Sequence, residues 1–181
     1  MLVFGIVFFG TLSQFKKTVP RNASASNSPV DILLNEFKED ETAHQLDAIS
    51  HLSEMNDPRI VPAMADLLAR TDSEQVTESI AEALTKLKDL RAIPSLKSAL
   101  AKDYDPFLKL TIARALVELG DKSGYQVLID ILKNDEAGFA RAQAIEIIKG
   151  KAGQDFGYNP EKTVAENAKA IELLERWEKK Q

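Results

Sequence analysis

The sequence predicts an all-α fold, a right-handed α-α solenoid (superhelix) of about four helical hairpins with a C-terminal capping helix. Two observations predict it. Apolar residues recur in the same order every 32 residues through the middle of the chain. Within each copy they are spaced three or four residues apart, as on one face of an α-helix, and no segment alternates as a strand would. A unit of this length cannot bury its own apolar face, so neighbouring copies must stack.

The repeats are predicted near 42–72, 73–104, 105–136 and 137–150. Each begins with an A helix, and the A-helix register is carried by Leu52, Leu84, Leu116 and Ile148. A B helix follows, and its core stripe is expected to comprise Val61, Met64, Leu68, Ile93, Leu96, Leu100, Tyr125, Leu128 and Leu132. Aspartate recurs between the two helices, at positions 57, 89 and 121. Asp57 precedes Pro58, so we expect these carboxylates to cap the B helices by accepting from free backbone N–H groups.

The first 29 residues differ from this body. Segment 1–20 begins with an uncharged apolar run, Met1 to Leu12, followed by Lys16 and Lys17. This run is shorter than the roughly 20 residues that cross a bilayer as a helix. One interpretation is a membrane anchor, or the remnant of one in a longer helix, in which case the lysines favour a cytoplasmic repeat domain. The other is an apolar strip that packs on the solenoid, so the compartment stays open. Residues 21–29 are predicted to be a flexible linker.

The ends of the repeat domain, 30–181, need apolar cover. A short amphipathic helix is predicted from Val30 to Phe37. The second half of repeat four departs from the pattern, and residues 151–181 are predicted to form a C-terminal cap. It includes a helix over 163–179, with one face formed by Ala168, Ile171, Leu174 and Trp177. Phe156 and Tyr158 are expected to add to this cover, because an open solenoid end exposes an apolar layer.

Composition excludes several classes of function. The chain has no cysteine, which excludes disulfides, thiolate metal sites and cysteine nucleophiles. Its net charge is −5, and residues 1–29 carry three cations and no acid, which leaves −8 on the remainder. Such an acidic body is a poor partner for nucleic acid, because that affinity rests on cations that neutralise phosphates.

No pattern in the sequence indicates catalysis, a metal site or a cofactor. The only histidines, His44 and His51, lie two helical turns apart, which is too far for both to bind one metal ion directly. Nucleophile elbows, phosphate-binding glycine loops and dinucleotide fingerprints do not occur. We therefore expect a protein that is not an enzyme.

Two segments carry a resemblance to a known family. The runs Asp89-Leu90-Arg91-Ala92-Ile93-Pro94-Ser95-Leu96 and Ala113-Arg114-Ala115-Leu116-Val117-Glu118-Leu119-Gly120-Asp121 resemble HEAT repeats. They are most similar to the short subtype of phycobilisome-lyase-like proteins, over roughly residues 42–149. The resemblance implies a ladder in which a basic residue early in each A helix pairs with the turn aspartate of the preceding repeat. Lys109 would pair with Asp89, and Arg141 with Asp121.

The resemblance leaves alternatives for function. The first is a non-enzymatic scaffold for protein–protein interaction. The second is a phycobilisome-lyase-type subunit that assists attachment or detachment of a bilin. A third, a HEAT-type DNA glycosylase, needs a basic surface and is disfavoured by the acidic body.

HEAT-like solenoids usually bind partners along the B helices, so the exposed side of that row is the candidate binding surface. Its candidate residues are Arg59, Asp66, Arg70, Arg91, Lys102 and Asp130. The four cations give this groove a positive bias, which favours an acidic peptide or the flank of a small acidic domain. The alternative is that these are ordinary solvated residues of exposed helix faces.

Overall fold

The computed structural model describes residues 28–39 and 41–181. Within these residues the regular secondary structure is helical, which confirms the predicted all-α class. The α-helices are α1 (Pro29–Glu36), α2 (Thr42–Leu52), α3 (Ile60–Arg70), α4 (Glu74–Leu87), α5 (Ile93–Ala99), α6 (Pro106–Glu118), α7 (Ser123–Leu132), α8 (Phe139–Ala152) and α9 (Ala168–Glu178). Short 3₁₀ turns at Leu90–Ala92 and Asp135–Ala137 precede α5 and α8.

The helices form two rows. We call α2, α4, α6 and α8 the A row, and α3, α5, α7 and α9 the B row. Neighbours within the A row pack side by side, as do α3 with α5 and α7 with α9 in the B row. The first three B helices also pack on the A helix of the next repeat, as α3 does on α4, α5 on α6 and α7 on α8. Successive A helices, which are one period apart, are therefore adjacent in space, which confirms the helical solenoid.

The core follows the predicted register. Leu52, Leu84, Leu116 and Ile148 are fully buried, and so are Met64, Leu96 and Leu128 of the B stripe. The buried side chains fall into two apolar clusters, one reaching from Phe37 to Leu119 and the other from Leu110 to Leu174. Helix α6 contributes to both clusters, with Ile112 in the first and Val117 in the second. It is therefore covered on two sides, which fits a helix with few polar positions.

The turn aspartates accept from free backbone N–H groups as predicted, but they are not the N-cap residues of α3, α5 and α7. Asp57, Asp89 and Asp121 each accept a hydrogen bond at 2.9 Å from the backbone N–H two residues later. The α-helices themselves begin slightly further on, at Ile60, Ile93 and Ser123, because the aspartate closes a short turn before the helix. We call the A-to-B turns, residues 53–59, 88–92 and 119–122, the turn edge.

The charge ladder that the family resemblance implied is wrong. Lys109 donates to Asp103 at 3.2 Å and Arg141 to Asp135 at 3.3 Å, six residues earlier in each case. These carboxylates lie in the loops that lead into the A helices, so they are closer along the chain than the turn aspartates. Gln45 occupies the equivalent position two periods before Lys109. Its side chain donates to the backbone carbonyl of Glu39, which is also six residues earlier. We call residues 71–79, 103–110 and 135–141, which comprise these loops and the first turns of α4, α6 and α8, the loop edge.

Ion pairs also join neighbouring A helices. Lys86 pairs with Glu54, Arg114 with Glu82 at 3.7 Å, and Lys151 with Glu118 at 3.1 Å. In each pair the acid lies in one repeat and the cation in the next. The outer side of the A row is therefore cross-linked from repeat to repeat, although exposed pairs of this kind stabilise a protein only slightly.

The C-terminal cap completes the B row. Helix α9 packs against α7, where the B helix of the fourth repeat is expected. It begins at Ala168, later than predicted, because the buried Asn167 side chain donates to three backbone carbonyls of residues 159–163 and holds that segment in turns. Ile171 and Leu174 are buried, but Ala168 is exposed.

Aromatic residues seal this end, as predicted. The Trp177 ring lies 4.8 Å from Tyr125 in an edge-to-face arrangement and 5.7 Å from Phe156. The Tyr158 hydroxyl is buried and donates to the carbonyl of Leu132 at 2.8 Å. Burial raises the pKa of this phenol, and the Arg141 guanidinium, which donates to the same oxygen at 2.7 Å, partly opposes that rise.

The amino-terminal segments are covered only in part. The predicted apolar segment 1–20 and most of the linker at 21–29 lie outside the described residues, so both stay predictions. None of the helices in residues 28–39 and 41–181 has the length and apolar character needed to cross a bilayer.

Gly124 allows a close contact between α6 and α7 and gives a test of the packing. A Cβ atom at this position would lie 2.5 Å from the Ala113 carbonyl oxygen and 2.8 Å from a Val117 methyl group. We expect Gly124→Ala to lower the free energy of unfolding by about 1–3 kcal/mol, because α6 and α7 would have to separate. Urea denaturation followed by circular dichroism measures the change.

Gly150→Ala is the matched control. Gly150 lies inside α8, and a Cβ there would meet nothing within 4 Å. This variant should raise the free energy of unfolding by up to about 1 kcal/mol, because alanine restricts the unfolded chain and favours a helix. Equal effects of the two substitutions would contradict the packing described for α6 and α7.

Candidate interaction surface

The exposed side of the B row is built from small side chains and prolines. In α3 and α5 outward positions carry Pro62, Ala63, Ala65, Ala69, Pro94, Ser95 and Ser98, all exposed or half-buried. Met64 and Leu96, on the other side of the same helices, are buried in the core. Small outward residues leave shallow clefts between adjacent B helices, so this surface has relief into which other side chains fit.

Two clefts open along this row. The first, of about 320 Å³, lies between α3 and α5 and is lined by Ala65, Leu68, Ala69, Pro94, Ser95, Ser98, Ala99 and Lys102. The second, of about 310 Å³, lies between α5, α6 and α7 and is lined by Leu100, Pro106, Lys109, Val127, Asp130, Ile131 and Asn134. The structure thus places Lys102 in the first cleft and Asp130 in the second.

The other predicted site residues are placed at the ends of the helices. Arg59 and Arg91 lie at the turn edge, and Arg70 lies at the carboxyl end of α3. Asp66, one turn before Arg70, pairs with it at 3.2 Å. The predicted set is therefore not one cluster, and only two of its members line the clefts of the B row.

The turn arginines are bound to neighbouring repeats. Arg59 pairs with Asp57 at 2.8 Å and with Asp31 of α1. Arg91 pairs with Asp89 at 2.6 Å and donates to the carbonyl of Pro58 at 3.3 Å. Each guanidinium thus joins its own turn to the repeat before it.

These contacts shift the titration of the aspartates. The hydrogen bonds from the Arg59 side chain and backbone lower the pKa of Asp57 to about 2. Arg91 lowers the pKa of Asp89 in the same way. The carboxylates stay ionised, and their charge offsets much of the positive bias that the sequence predicted for this surface.

Cations at the carboxyl ends of the B helices bond to backbone carbonyls. Arg70 donates to the carbonyl of Phe37, which caps α1, and Lys102 donates at 2.7 Å to that of Thr71, which caps α3. Cations are stabilised at these positions because carbonyl groups at a helix end carry partial negative charge. The bond from Arg70 and the pair between Arg59 and Asp31 tie α1 to the amino-terminal end of the B row, while α1 itself packs on α2.

Lys102 differs from the three arginines in its charge balance. The Lys102 ammonium bonds to a carbonyl, and within residues 28–39 and 41–181 it forms no ion pair with a carboxylate, whereas Arg59, Arg70 and Arg91 each do. Thr71 precedes Lys102 by 31 residues, so this hydrogen bond joins two neighbouring repeats. Lys102 is therefore the predicted cation whose charge is available to a partner in the first cleft.

Sequence reasoning missed part of the second cleft. Leu100 was assigned to the core stripe, but it is half-buried and lines the cleft, together with Val127. A leucine at the last turn of a short B helix has no following turn to cover it. The short span of α5, which ends at Ala99, is the signal that could have identified it.

The two histidines lie on the surface of α2. His44 bonds to Glu39 at 2.7 Å, and this bond raises the pKa of the imidazole. His51 lies 3.4 Å from Asp47. Within the part of the chain that the structure describes, no group of three acidic, histidine or cysteine side chains is arranged to hold a metal ion.

Comparison with known proteins identifies the family. The family model for HEAT repeats matches residues 30–110 and 91–149, which include α2 to α7 and most of α1 and α8. The chain belongs to the HEAT-repeat family. HEAT repeats generally mediate protein interactions, and the family generally consists of non-enzymatic scaffolds.

The match is to HEAT repeats as a whole, so the resemblance to the phycobilisome-lyase-like subtype stays a prediction. A search of curated proteins finds no match to this HEAT-repeat chain.

The pKa of Asp57 tests the pairing at the turn edge. In Arg59→Met we expect the pKa of the Asp57 carboxyl to rise from about 2 towards 3.8, because the charged donor is lost. A lowered pKa in the folded state stabilises the protein at neutral pH, and this contribution is lost as pH falls from about 4 towards 2. Titration of the carboxyl carbon by NMR gives the pKa, and the acid-unfolding curve should become shallower.

Arg91→Met serves as the control for this measurement. It removes the partner of Asp89 and should raise the pKa of that residue, while Asp57 keeps its low value. If Asp57 titrates alike in both variants, the low pKa does not depend on Arg59 and the pairing is misassigned.

Proposed function

We propose that this HEAT-repeat protein is a non-enzymatic adaptor that binds an acidic segment of a partner protein along the exposed side of its B row. The family supports the general role, since HEAT repeats generally mediate protein interactions. The observation that carries the finer proposal is the pair of clefts in the B row, each lined by apolar or small residues and each containing one of the predicted binding residues.

The first cleft favours a carboxylate. The Lys102 ammonium stands at its rim, and its bond to the carbonyl of Thr71 fixes its position without neutralising it. A carboxylate that meets a pre-positioned ammonium forms a charge-assisted hydrogen bond, which is stronger than a neutral one. The small side chains of Ala65, Ala69 and Ser98 let a partner backbone approach closely.

The second cleft favours an apolar side chain. Leu100, Val127 and Ile131 present hydrocarbon surface, and the polar groups of Asp130 and Asn134 lie at the rim. Burial of one medium-sized apolar side chain contributes about 1.5–3 kcal/mol. A partner that places an acid in the first cleft and an apolar residue in the second would occupy both, because the two clefts share α5.

Site-specific photo-crosslinking tests which surface binds. A photo-reactive residue at Ser98 or Asp130 reports on the B row, and one at Ser50 on α2 is the matched control on the A row. We expect the same partner to be crosslinked from positions 98 and 130 and not from position 50. Crosslinks that form mainly from position 50 would place the binding surface elsewhere.

Substitution of Lys102 tests the chemistry of recognition. Lys102→Glu should weaken capture of the crosslinked partner by about tenfold or more, because it replaces a charge-assisted hydrogen bond by repulsion. Lys102→Arg keeps the charge and the donor to Thr71, so it should retain binding. The thermal unfolding curve of each variant separates loss of binding from loss of fold. Unchanged capture by Lys102→Glu would contradict the proposal.

A further inference from the structure

Two phenylalanines are exposed at equivalent positions of neighbouring repeats. Phe107, in the first turn of α6, is 47% exposed, and Phe139, at the start of α8, is 68% exposed. They are one period apart, and α6 and α8 pack side by side, so both lie on the loop edge. Packed helix axes are about 8–10 Å apart, a spacing that puts the two rings within reach of one bound segment. Large exposed apolar residues in register mark an interaction surface more often than single ones do.

The loop edge is also the most acidic part of the body. It carries seven carboxylates against two cations, and the carboxylates are Asp72, Glu74, Glu78, Asp103, Asp105, Asp135 and Glu136. Both cations are held internally, since Lys109 pairs with Asp103 and the buried Arg141 pairs with Asp135. Most of the excess negative charge of residues 28–181 therefore lies on the loop edge, and three of its carboxylates share a cleft with Phe107.

One cleft on the loop edge contains both an exposed aromatic ring and several carboxylates. It has a volume of about 340 Å³, lies between the first turns of α4 and α6, and is lined by Glu74, Gln75, Glu78, Asp105, Phe107 and Leu108. Glu74 and Glu78 lie one helical turn apart, where like charges repel. An arginine or lysine from a partner would relieve this repulsion, lay its aliphatic stem on Leu108 and place its charge near the face of Phe107.

The occupant that this edge favours is a basic segment of another molecule, because its charge would complement the carboxylates of the loop edge. The cations Lys16, Lys17 and Arg21 precede α1, and α1 begins near the turn edge, where Asp31 pairs with Arg59. The chain thus enters the body at the edge opposite to Phe107 and Phe139. Nucleic acid and anionic lipid would be repelled by the carboxylates.

We propose that the loop edge is a second docking surface, which binds a segment of a partner protein that carries an arginine or lysine next to an apolar residue. The cation enters the cleft formed by Glu74, Glu78 and Phe107, and the apolar residue packs on Phe139. This surface lies at the starts of the A helices and borders the B row, since Pro106 and Lys109 of the loop edge also line the second cleft. The partner proposed for the loop edge is basic, whereas the partner proposed for the B row is acidic. Binding at each surface can therefore be tested separately.

Binding of a labelled peptide of alternating arginine and leucine to the full chain tests the proposal by fluorescence anisotropy. We expect it to bind, and to bind more weakly as salt is raised, because exposed charges are screened. The counterpart with glutamate in place of arginine should not bind. Equal binding of both peptides would overturn the proposal.

Substitutions locate the site. Phe107→Ser combined with Phe139→Ser should weaken binding of the arginine–leucine peptide by about tenfold or more, because the apolar contact and the aromatic face are lost. Glu74→Gln combined with Glu78→Gln should weaken binding and reduce its salt dependence. The matched control is Leu90→Ser, which removes a 64% exposed leucine from the turn edge and should leave binding unchanged.

Two results would overturn the assignment. The first is a peptide affinity that the double phenylalanine variant does not weaken, or that Leu90→Ser weakens by as much as the double variant does. The second is tighter peptide binding after removal of residues 1–27, which would show that the chain's own cations occupy the edge. Circular dichroism of each variant confirms that the fold is retained.

Discussion

Each helical hairpin in this protein leaves apolar surface that only the next hairpin can cover. Leu84 and Leu116, one period apart, are both fully buried because their helices lie against neighbours on two sides. Burial of such side chains contributes about 1.5–3 kcal/mol each, whereas exposed ion pairs contribute much less. The apolar contacts therefore hold the repeats together, and the polar bridges from Arg70, Lys102 and the A-row ion pairs fix how each repeat sits on the last.

The period of the sequence was enough to predict which faces are buried, because a 32-residue interval places Leu52, Leu84 and Leu116 in one register. It could not predict the partners of long side chains. Lys109 and Arg141 reach many positions, and the path of the adjacent loop decides that they bond to Asp103 and Asp135. Gly124 is likewise uninformative in isolation, since its role depends on how closely α6 and α7 approach.

The candidate site was predicted less completely than the fold. Arg59 and Arg91 were assigned to a binding surface because they recur at one period, yet an aspartate two residues earlier recurs with them and pairs with each. A recurring pair of opposite charges is as consistent with a bond between repeats as with recognition. Helix faces and helix ends vary independently in a solenoid, so one chain can present a B row with apolar clefts and an acidic loop edge.

Among the helices of residues 28–39 and 41–181, α6 alone contributes side chains to both apolar clusters. Solenoids gain stability from interfaces between neighbouring units, so they can open from either end while the remainder stays folded. Local unfolding that starts at the amino terminus and local unfolding that starts at the carboxyl terminus would each reach the thirteen-residue helix α6 last. Its backbone amides should be the last to exchange with deuterated solvent, which makes α6 the element through which the two halves of the molecule unfold cooperatively.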